Sequence, residues 1–270
     1  MKIALYTRKP NPEASAFLAG RLQNRGIETQ VISGSEPCVF GEQYDALISI
    51  GGDGTLLSSV HLLGNSTIPV LGVNFGHLGF LTSADREDVE QLADCLKNGD
   101  YNVETRTLLR VETSSGTGNV PEFVLNEIYL HRPLENALMR VRVYVDGQYL
   151  ANYIGDGLIV ATPTGSTAYS LSCGGPILTP DSGSLVITPI GAHTLTLRPI
   201  VLSDKVKISL LPDDTCGELT LGTDSSSHTV KGGEEISICR HIHSLRLIRL
   251  PGHNFFSALR HKLLWGAKSQ

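Results

Sequence analysis

The sequence predicts an α/β amino-terminal region built on a parallel sheet, followed by a β-rich carboxyl-terminal region and a terminal helix. Three observations predict it. Strand and helix patterns alternate over residues 1–100, short strands with turns take over at 101–270, and helical spacing returns only at the very end. Ile3 to Thr7 is a short apolar run, and a Pro-Asn-Pro breaker then leads into a helical pattern from Ala14 to Gly26 with Phe17, Leu18 and Leu22 on one face. Gln30-Val31-Ile32 reads as a second strand, and Tyr44 to Ile50 as a buried strand that stops at Gly51-Gly52. Leu56, Leu57, Val60 and Leu63 have helix spacing, Pro69 to Asn74 is a further strand, and Asp88 to Leu96 a further helix. Such an order places helices on the faces of a parallel sheet, whose ligands bind beyond the carboxyl ends of the strands. Gly51-Gly52 and Asn74 fall at that edge.

From Tyr101 the rhythm changes. Met139 to Val145 alternates strictly, with Val141, Val143 and Val145 on one face, Arg140, Arg142 and Tyr144 on the other, and Asp146-Gly147 as a hairpin turn. Further strands are expected at Leu185-Val186-Ile187, Val206 to Leu211, Leu219-Thr220-Leu221, Ile236-Ser237-Ile238 and Leu245 to Leu250, and an amphipathic helix from Phe255 to Trp265.

A length of 270 residues suits two domains, and 22 Lys+Arg against 27 Asp+Glu give a net charge of −5. An acidic chain is a poor non-specific binder of nucleic acid, because phosphate contacts need a positive face. No apolar run approaches the ~18 residues of a membrane span. The amino terminus, Met1 to Arg8, is too short and too soon charged for a signal peptide. Cys38, Cys95, Cys173, Cys216 and Cys239 are scattered and never spaced as CxxC, which disfavours a disulfide framework and a structural zinc site. A cytoplasmic protein without membrane or nucleic-acid partners is expected.

Glycine is 28 of 270 residues, above the usual level of about 7%, and the excess is clustered. The first cluster is Gly51-Gly52-Asp53-Gly54-Thr55, between a strand and a helix. Glycines let backbone approach a phosphate, the helix start adds unpaired N–H groups, and the Thr55 hydroxyl can reach a phosphate oxygen or cap the helix. Asp53 is the oddity, since a carboxylate repels phosphate unless it binds a cation or takes a proton from a nucleophile. Its structural alternative is a helix N-cap. No GxxxxGK[ST], GxGxxG or GxSxG motif is present. His241 and His243 have ligand-like spacing and are read as a solvated strand face.

The second cluster runs from Gly155-Asp156-Gly157 through Thr162-Pro163-Thr164-Gly165-Ser166-Thr167-Ala168-Tyr169-Ser170 to Gly174-Gly175-Pro176. Its hydroxyls suit a base edge or a ribose, and Tyr169 offers a stacking face; a turn-rich connection is the plainer alternative. Asn126-Glu127 reads equally as ligand contact or as an ordinary polar pair at a strand end.

Taken in order with Asn74-Phe75-Gly76-His77-Leu78-Gly79-Phe80-Leu81 and the ending Leu259 to Gly266, these segments resemble the NAD kinases over nearly the whole chain. The GGDG loop is shared with diacylglycerol and sphingoid lipid kinases and loosely with 6-phosphofructokinases; the TPTGSTAY segment is more specific. The resemblance implies transfer of the γ-phosphoryl of ATP to the adenosine 2′-hydroxyl of NAD. Asp53 is then the catalytic base, and Gly51, Gly52, Gly54 and Thr55 handle phosphates. It implies NAD contacts from Asn74, His77 and Phe80, adenine and ribose reading by Asn126 and Glu127, an adenine pocket from Thr167, Ala168, Tyr169 and Ser172, and a nicotinamide-end contact from Asp156. A late aspartate corresponds to Asp224, here in Thr223-Asp224-Ser225-Ser226-Ser227 without the usual glycine, and Gly191-Ala192-His193 departs from the common Cys-Pro-His-like stretch. Mg²⁺ and a homo-oligomer, dimer or tetramer, are also implied; no metal ligand is assigned. No Lys or Arg adjoins the first glycine loop, so cationic help must come from the metal or from a residue distant in sequence. A GGDG-type lipid kinase and a non-catalytic dinucleotide sensor are the alternatives.

Overall fold

The structure, a computed structural model, describes residues 1–33, 43–64, 66–116, 123–133, 138–224 and 226–266; Cys38 and Ser225 lie outside the described residues. The chain divides into two compact units, Met1–Thr105 with Leu245–Gln270, and Arg106–Ser244.

Unit 1 opens with β1 (Lys2–Thr7), α1 (Pro12–Gln23), β2 (Glu28–Ser33), β3 (Ala46–Ile50), α2 (Asp53–Leu63), β4 (Val70–Val73), β5 (Thr82–Ala84) and α3 (Val89–Asn98). The order β2-β1-β3-β4 is parallel throughout, with β5 parallel to β4. All five residues of β3 are buried, as expected of parallel strands covered on both faces. Pro12 fits the first turn of α1, whose start is capped by the Asn11 side chain accepting the Ala14 N–H at 3.2 Å. That helix buries Leu18 and Leu22 in a core with Ile3, Leu5, Ile48 and Leu71.

The strand β6 (Asn102–Thr113) leads into unit 2, which contains β7 (Glu127–His131), β8 (Met139–Val145), β9 (Gln148–Gly155), β10 (Gly157–Ala161), α4 (Tyr169–Ser172), β11 (Ser184–Ile190), β12 (Ile200–Ser203), β13 (Ile208–Pro212), β14 (Glu218–Gly222) and β15 (Ser227–Lys231), followed by β16 (Ile236–Arg249). One antiparallel layer has the order β12-β11-β10-β7-β14-β15, and β13 pairs antiparallel with both β8 and the start of β16. The inner faces of these layers share one core, in which Val141, Val143, Ile208 and Ile238 meet Ile128, Leu130, Leu158 and Val160. The expected alternation of β8 is present: Val141 and Val143 are buried, Arg140 and Arg142 exposed. The central strand β10 is apolar at every position because Ile159 and Ala161 face a second cluster on its other side.

Three sequence expectations are corrected here. The segments read as separate strands at Ile236–Ile238 and Leu245–Leu250 belong to the single 14-residue β16. Its end does not stay with the β-rich unit: Leu247 pairs in parallel with Val70 of β4, and Ile248 and Leu250 are buried in the unit 1 core, so the closing segment with α5 (Phe255–Leu263) groups with the amino-terminal unit. His241, read as solvated, is 6% exposed with its ring edge-on to Phe123 at 4.7 Å. Apolar contact on one side outweighs the polar reading of its neighbours.

Leu18 is fully buried at the centre of the unit 1 core. Leu18→Ala is expected to cost about 2–5 kcal/mol, read as a lowered urea midpoint at unchanged slope; a midpoint at the wild-type value would show that the site collapses around the lost atoms.

Candidate functional site

In unit 1 the parallel register brings the carboxyl ends of β1, β3 and β4 to one edge, with Tyr6 beside Ser49 and Ile50 beside Val73. The first glycine loop starts there. The Gly51 N–H donates to the Val73 carbonyl at 2.8 Å. Gly51 has φ +147°, and a Cβ at this position would lie 2.4 Å from Thr55 Oγ1, so a side chain here would be strained and would displace Thr55. Gly52 is the N-cap of α2, its carbonyl accepting the Thr55 N–H at 2.8 Å.

Asp53 is therefore the first residue inside the helix and not its cap. Its carboxylate reaches the segment before β5: Oδ2 accepts the Phe80 N–H at 2.9 Å and Oδ1 accepts the Leu81 N–H at 3.0 Å. Two donors on two oxygens fix the plane of the carboxylate and leave each oxygen a further lone pair. Gly79 makes room for this arrangement, since a Cβ there would sit 1.8 Å from Asp53 Oδ1.

The neighbouring motif residues fall into place around the same interaction. The Asn74 side chain closes the turn after β4, donating to the His77 carbonyl and accepting the Gly76 N–H at 3.2 Å. His77 is exposed. Phe80 serves through its backbone, while its ring packs near Phe255 of α5 at 6.1 Å. Motif reading missed Arg249. It is 3% exposed, and its guanidinium donates to the Phe80 carbonyl at 2.7 Å, the Thr82 carbonyl at 3.3 Å, Ser83 Oγ at 3.1 Å and Glu104 Oε2 at 3.0 Å. The signal available was a cation inside the apolar run Leu245 to Leu250, which a buried ion must balance with several acceptors.

In unit 2, residues Leu125, Asn126 and Glu127 donate their N–H groups to one carboxylate, that of Asp224, at 2.5, 2.9 and 3.2 Å. The altered sequence after Asp224 does not disturb this, because the contacts come from the aspartate itself. Burial raises the Asp224 carboxyl to about 6, against the downward pull of the three amides. Burial first, then the Asp224 charge, pushes the Glu127 carboxyl up to about 8. Near neutrality Glu127 thus carries the proton, and the amides hold the charge on Asp224. Glu127 Oε2 is buried with no hydrogen-bond partner among the described residues.

The hydroxyl-rich loop lies against Asn126: the Thr162 N–H donates to the Asn126 carbonyl at 2.9 Å, and a Cβ on Gly165 would stand 2.1 Å from that oxygen. Four of the loop's hydroxyls are also engaged within the fold. Thr162 Oγ1 donates to the Leu125 carbonyl at 2.5 Å, Ser166 Oγ to the Pro163 carbonyl at 2.7 Å, Thr167 Oγ1 to the Thr164 carbonyl at 3.1 Å, and Ser170 Oγ pairs with Thr188 Oγ1 at 2.8 Å. A connection buried this deeply must satisfy its own polar groups. What the loop presents is α4, with Ala168 and Tyr169 half-buried and Ser172 exposed. The Tyr169 ring stands edge-on to Tyr129 at 5.8 Å, and Tyr129 is a further residue that sequence reasoning missed. Asp156, between β9 and β10, is held by Arg132, whose Nε and Nη2 reach Asp156 Oδ1 at 2.8 and 2.7 Å.

Among the described residues no group of three or more His, Cys, Asp or Glu could hold a metal ion, and no helix is long and apolar enough to cross a membrane.

Two family models match the chain: the ATP-NAD kinase N-terminal domain over residues 8–101 and the ATP-NAD kinase C-terminal domain over residues 125–250. A NAD kinase of Porphyromonas gingivalis is 44% identical over 98% of both chains, and one of Flavobacterium psychrophilum 38% identical over 93% of this chain and 86% of its own. A solved NAD kinase from Archaeoglobus fulgidus in complex with ATP superposes with a TM-score of 0.80 at 26% identity, over 98% of this chain and 99% of that one. Yeast NADH kinase complexed with NADH shares the fold, with a TM-score of 0.85 at 21% identity over 100% of this chain and 89% of that one.

Two outcomes are expected from this geometry. Gly79→Ala forces a methyl onto the Asp53 carboxylate and should cost about 1–3 kcal/mol through broken amide bonds; an unchanged melting temperature would mean that the loop has slack. Glu127 is raised in the folded state, from 4.5 to about 8. The stability it contributes is therefore complete below its unfolded value and is lost as pH rises through its folded one. The melting temperature should fall across that window in the wild type and flatten in Glu127→Gln; parallel curves would place the proton elsewhere.

Proposed function

The chain belongs to the ATP-NAD kinase family, and we infer that it transfers the γ-phosphoryl of ATP to the adenosine 2′-hydroxyl of NAD, forming NADP. The observation that carries the assignment of the base is the Asp53 carboxylate, oriented by the Phe80 and Leu81 amides at the end of the glycine loop. Phosphoryl transfer asks mainly for positioning and charge neutralisation. The lone pairs left on Asp53 accept the hydroxyl proton as the acceptor oxygen bonds to phosphorus and the bond to the ADP leaving oxygen breaks. Gly51, Gly52, Gly54 and Thr55 face the phosphates, the glycines allowing close backbone approach.

In unit 2 the dinucleotide is read by Asn126 and Glu127. A protonated Glu127 is a donor as well as an acceptor, suited to a ribose oxygen or a base nitrogen. Tyr169, Ala168, Thr167 and Ser172 line the adenine side, with Tyr129 fixing the Tyr169 ring. Asp156, aligned by Arg132, takes the nicotinamide end. Asp224 acts as a positioning residue, since its oxygens are occupied by the backbone that carries Asn126 and Glu127. Asn74, His77 and Phe80 of unit 1 are assigned to NAD contact by family resemblance; in this chain Asn74 and Phe80 also set the loop that holds Asp53.

Mg²⁺ fits as an ion carried on the donor phosphates, because such ions take one or two carboxylates plus substrate oxygens and do not need a protein cage. When bound it offsets the phosphate charge. A homo-oligomer, dimer or tetramer, belongs to this reading through the family resemblance alone. A cytoplasmic location is supported by the free thiols of Cys95, Cys173, Cys216 and Cys239.

The test is a coupled assay of NADP formed from NAD, ATP and Mg²⁺ by the wild type and Asp53→Asn. Loss of a general base lowers turnover by about 10²–10⁴-fold, while NAD affinity by calorimetry should stay near the wild-type value. Near-normal turnover in the variant would remove Asp53 from the base role, and no NADP from the wild type would refute the reaction.

A further inference from the structure

The parallel pairing of β1 with β3 sends Arg8 and Lys9 out of the sheet at the edge where Gly51 begins the glycine loop. There a cavity of about 440 Å³ is lined by Arg8, Lys9, Asn11, Ile50 and Thr55. Its volume is within the range of about 300–1,000 Å³ usual for ligand sites. Its chemistry is one-sided: a guanidinium, an ammonium, a hydroxyl and a carboxamide, with no carboxylate among the described lining residues. Asn11 already accepts the Ala14 N–H through Oδ1, so its remaining polar atom is the donor Nδ2. Arg8 and Lys9 are both exposed, and among the described residues neither has an ion-pair partner. Two exposed cations beside a glycine loop match a chain of phosphates, the arginine by bidentate contact and the lysine as a point charge.

We propose that Arg8 and Lys9 clamp the phosphate chain of the ATP donor in this cavity. The clamp supplies within unit 1 the positive charge that the loop lacks in its own sequence, and the identity of the donor rests on the kinase reading above. The pyrophosphate of NAD shares the chemistry. A triphosphate carries more negative charge than a dinucleotide's diester bridge, and so gains more from two neighbouring cations.

The experiment compares the wild type with Arg8→Gln, Lys9→Gln and the double variant, titrating ATP with Mg²⁺ alone and NAD alone by calorimetry, then measuring steady-state rates. Each lost charge-assisted contact is expected to weaken ATP about tenfold, in Kd and in KM, with NAD affinity and the rate at saturating ATP near wild type. The salt dependence of kcat/KM for ATP should flatten in the double variant. Unchanged ATP affinity would overturn the clamp, as would a wild type that does not bind ATP. Weakened NAD binding at unchanged ATP binding would move the cations to the dinucleotide pyrophosphate and overturn it too. A wild type that binds ATP through these residues yet makes no NADP would sink the kinase reading and leave the clamp standing.

Discussion

The carboxylate of Asp53 accepts two backbone N–H groups, and much of unit 1 is arranged so that it can. A carboxylate next to a glycine loop at a helix start has no fixed orientation of its own, and left to solvent it would swing away. The amides of Phe80 and Leu81 hold it in one orientation. Those amides are aimed only because the segment before β5 is itself fixed: Gly79 yields space, and the Arg249 guanidinium ties the carbonyls of Phe80 and Thr82 to Glu104. Arg249 is the last residue of β16, so a segment near residue 250 helps to set the orientation of the Asp53 carboxylate.

Unit 2 solves a related problem with the opposite allocation of charge. Asp224 is buried and keeps its charge by accepting three consecutive N–H groups, which pins the strand start bearing Asn126 and Glu127. Glu127, next to that charge and itself desolvated, keeps its proton instead. Two carboxyl groups of similar intrinsic acidity thus become an acceptor and a donor. The loop from Thr162 to Ser170 supports the same place. Its hydroxyls bond within the loop and to the Leu125 carbonyl, giving rigidity to the short helix that carries Tyr169.

The alternation of β1, α1, β3, α2 and β4 was legible because covered parallel strands are apolar throughout and their helices show one apolar face. The hairpin at Asp146-Gly147 and the strict alternation of β8 were legible for the same local reason. The placement of Leu245–Leu250 was not, since a short apolar strand carries no mark of which sheet it joins. Nor was the burial of His241 against Phe123, which depends on a residue distant along the chain.

What the sequence determined by itself is the inventory: a glycine loop with one aspartate at a strand end, a polar loop around Tyr169, and the Asn126-Glu127 pair, each set by local backbone chemistry. The tertiary structure decided the surroundings of each. It gave Asp53 amide partners instead of a capping duty, gave Asp224 a supporting place, shifted the proton to Glu127, and brought Arg8 and Lys9 to a loop that has no cation in its own sequence. Each of these depends on desolvation or on contacts between residues far apart in the chain, and neither is written in any local pattern of residues.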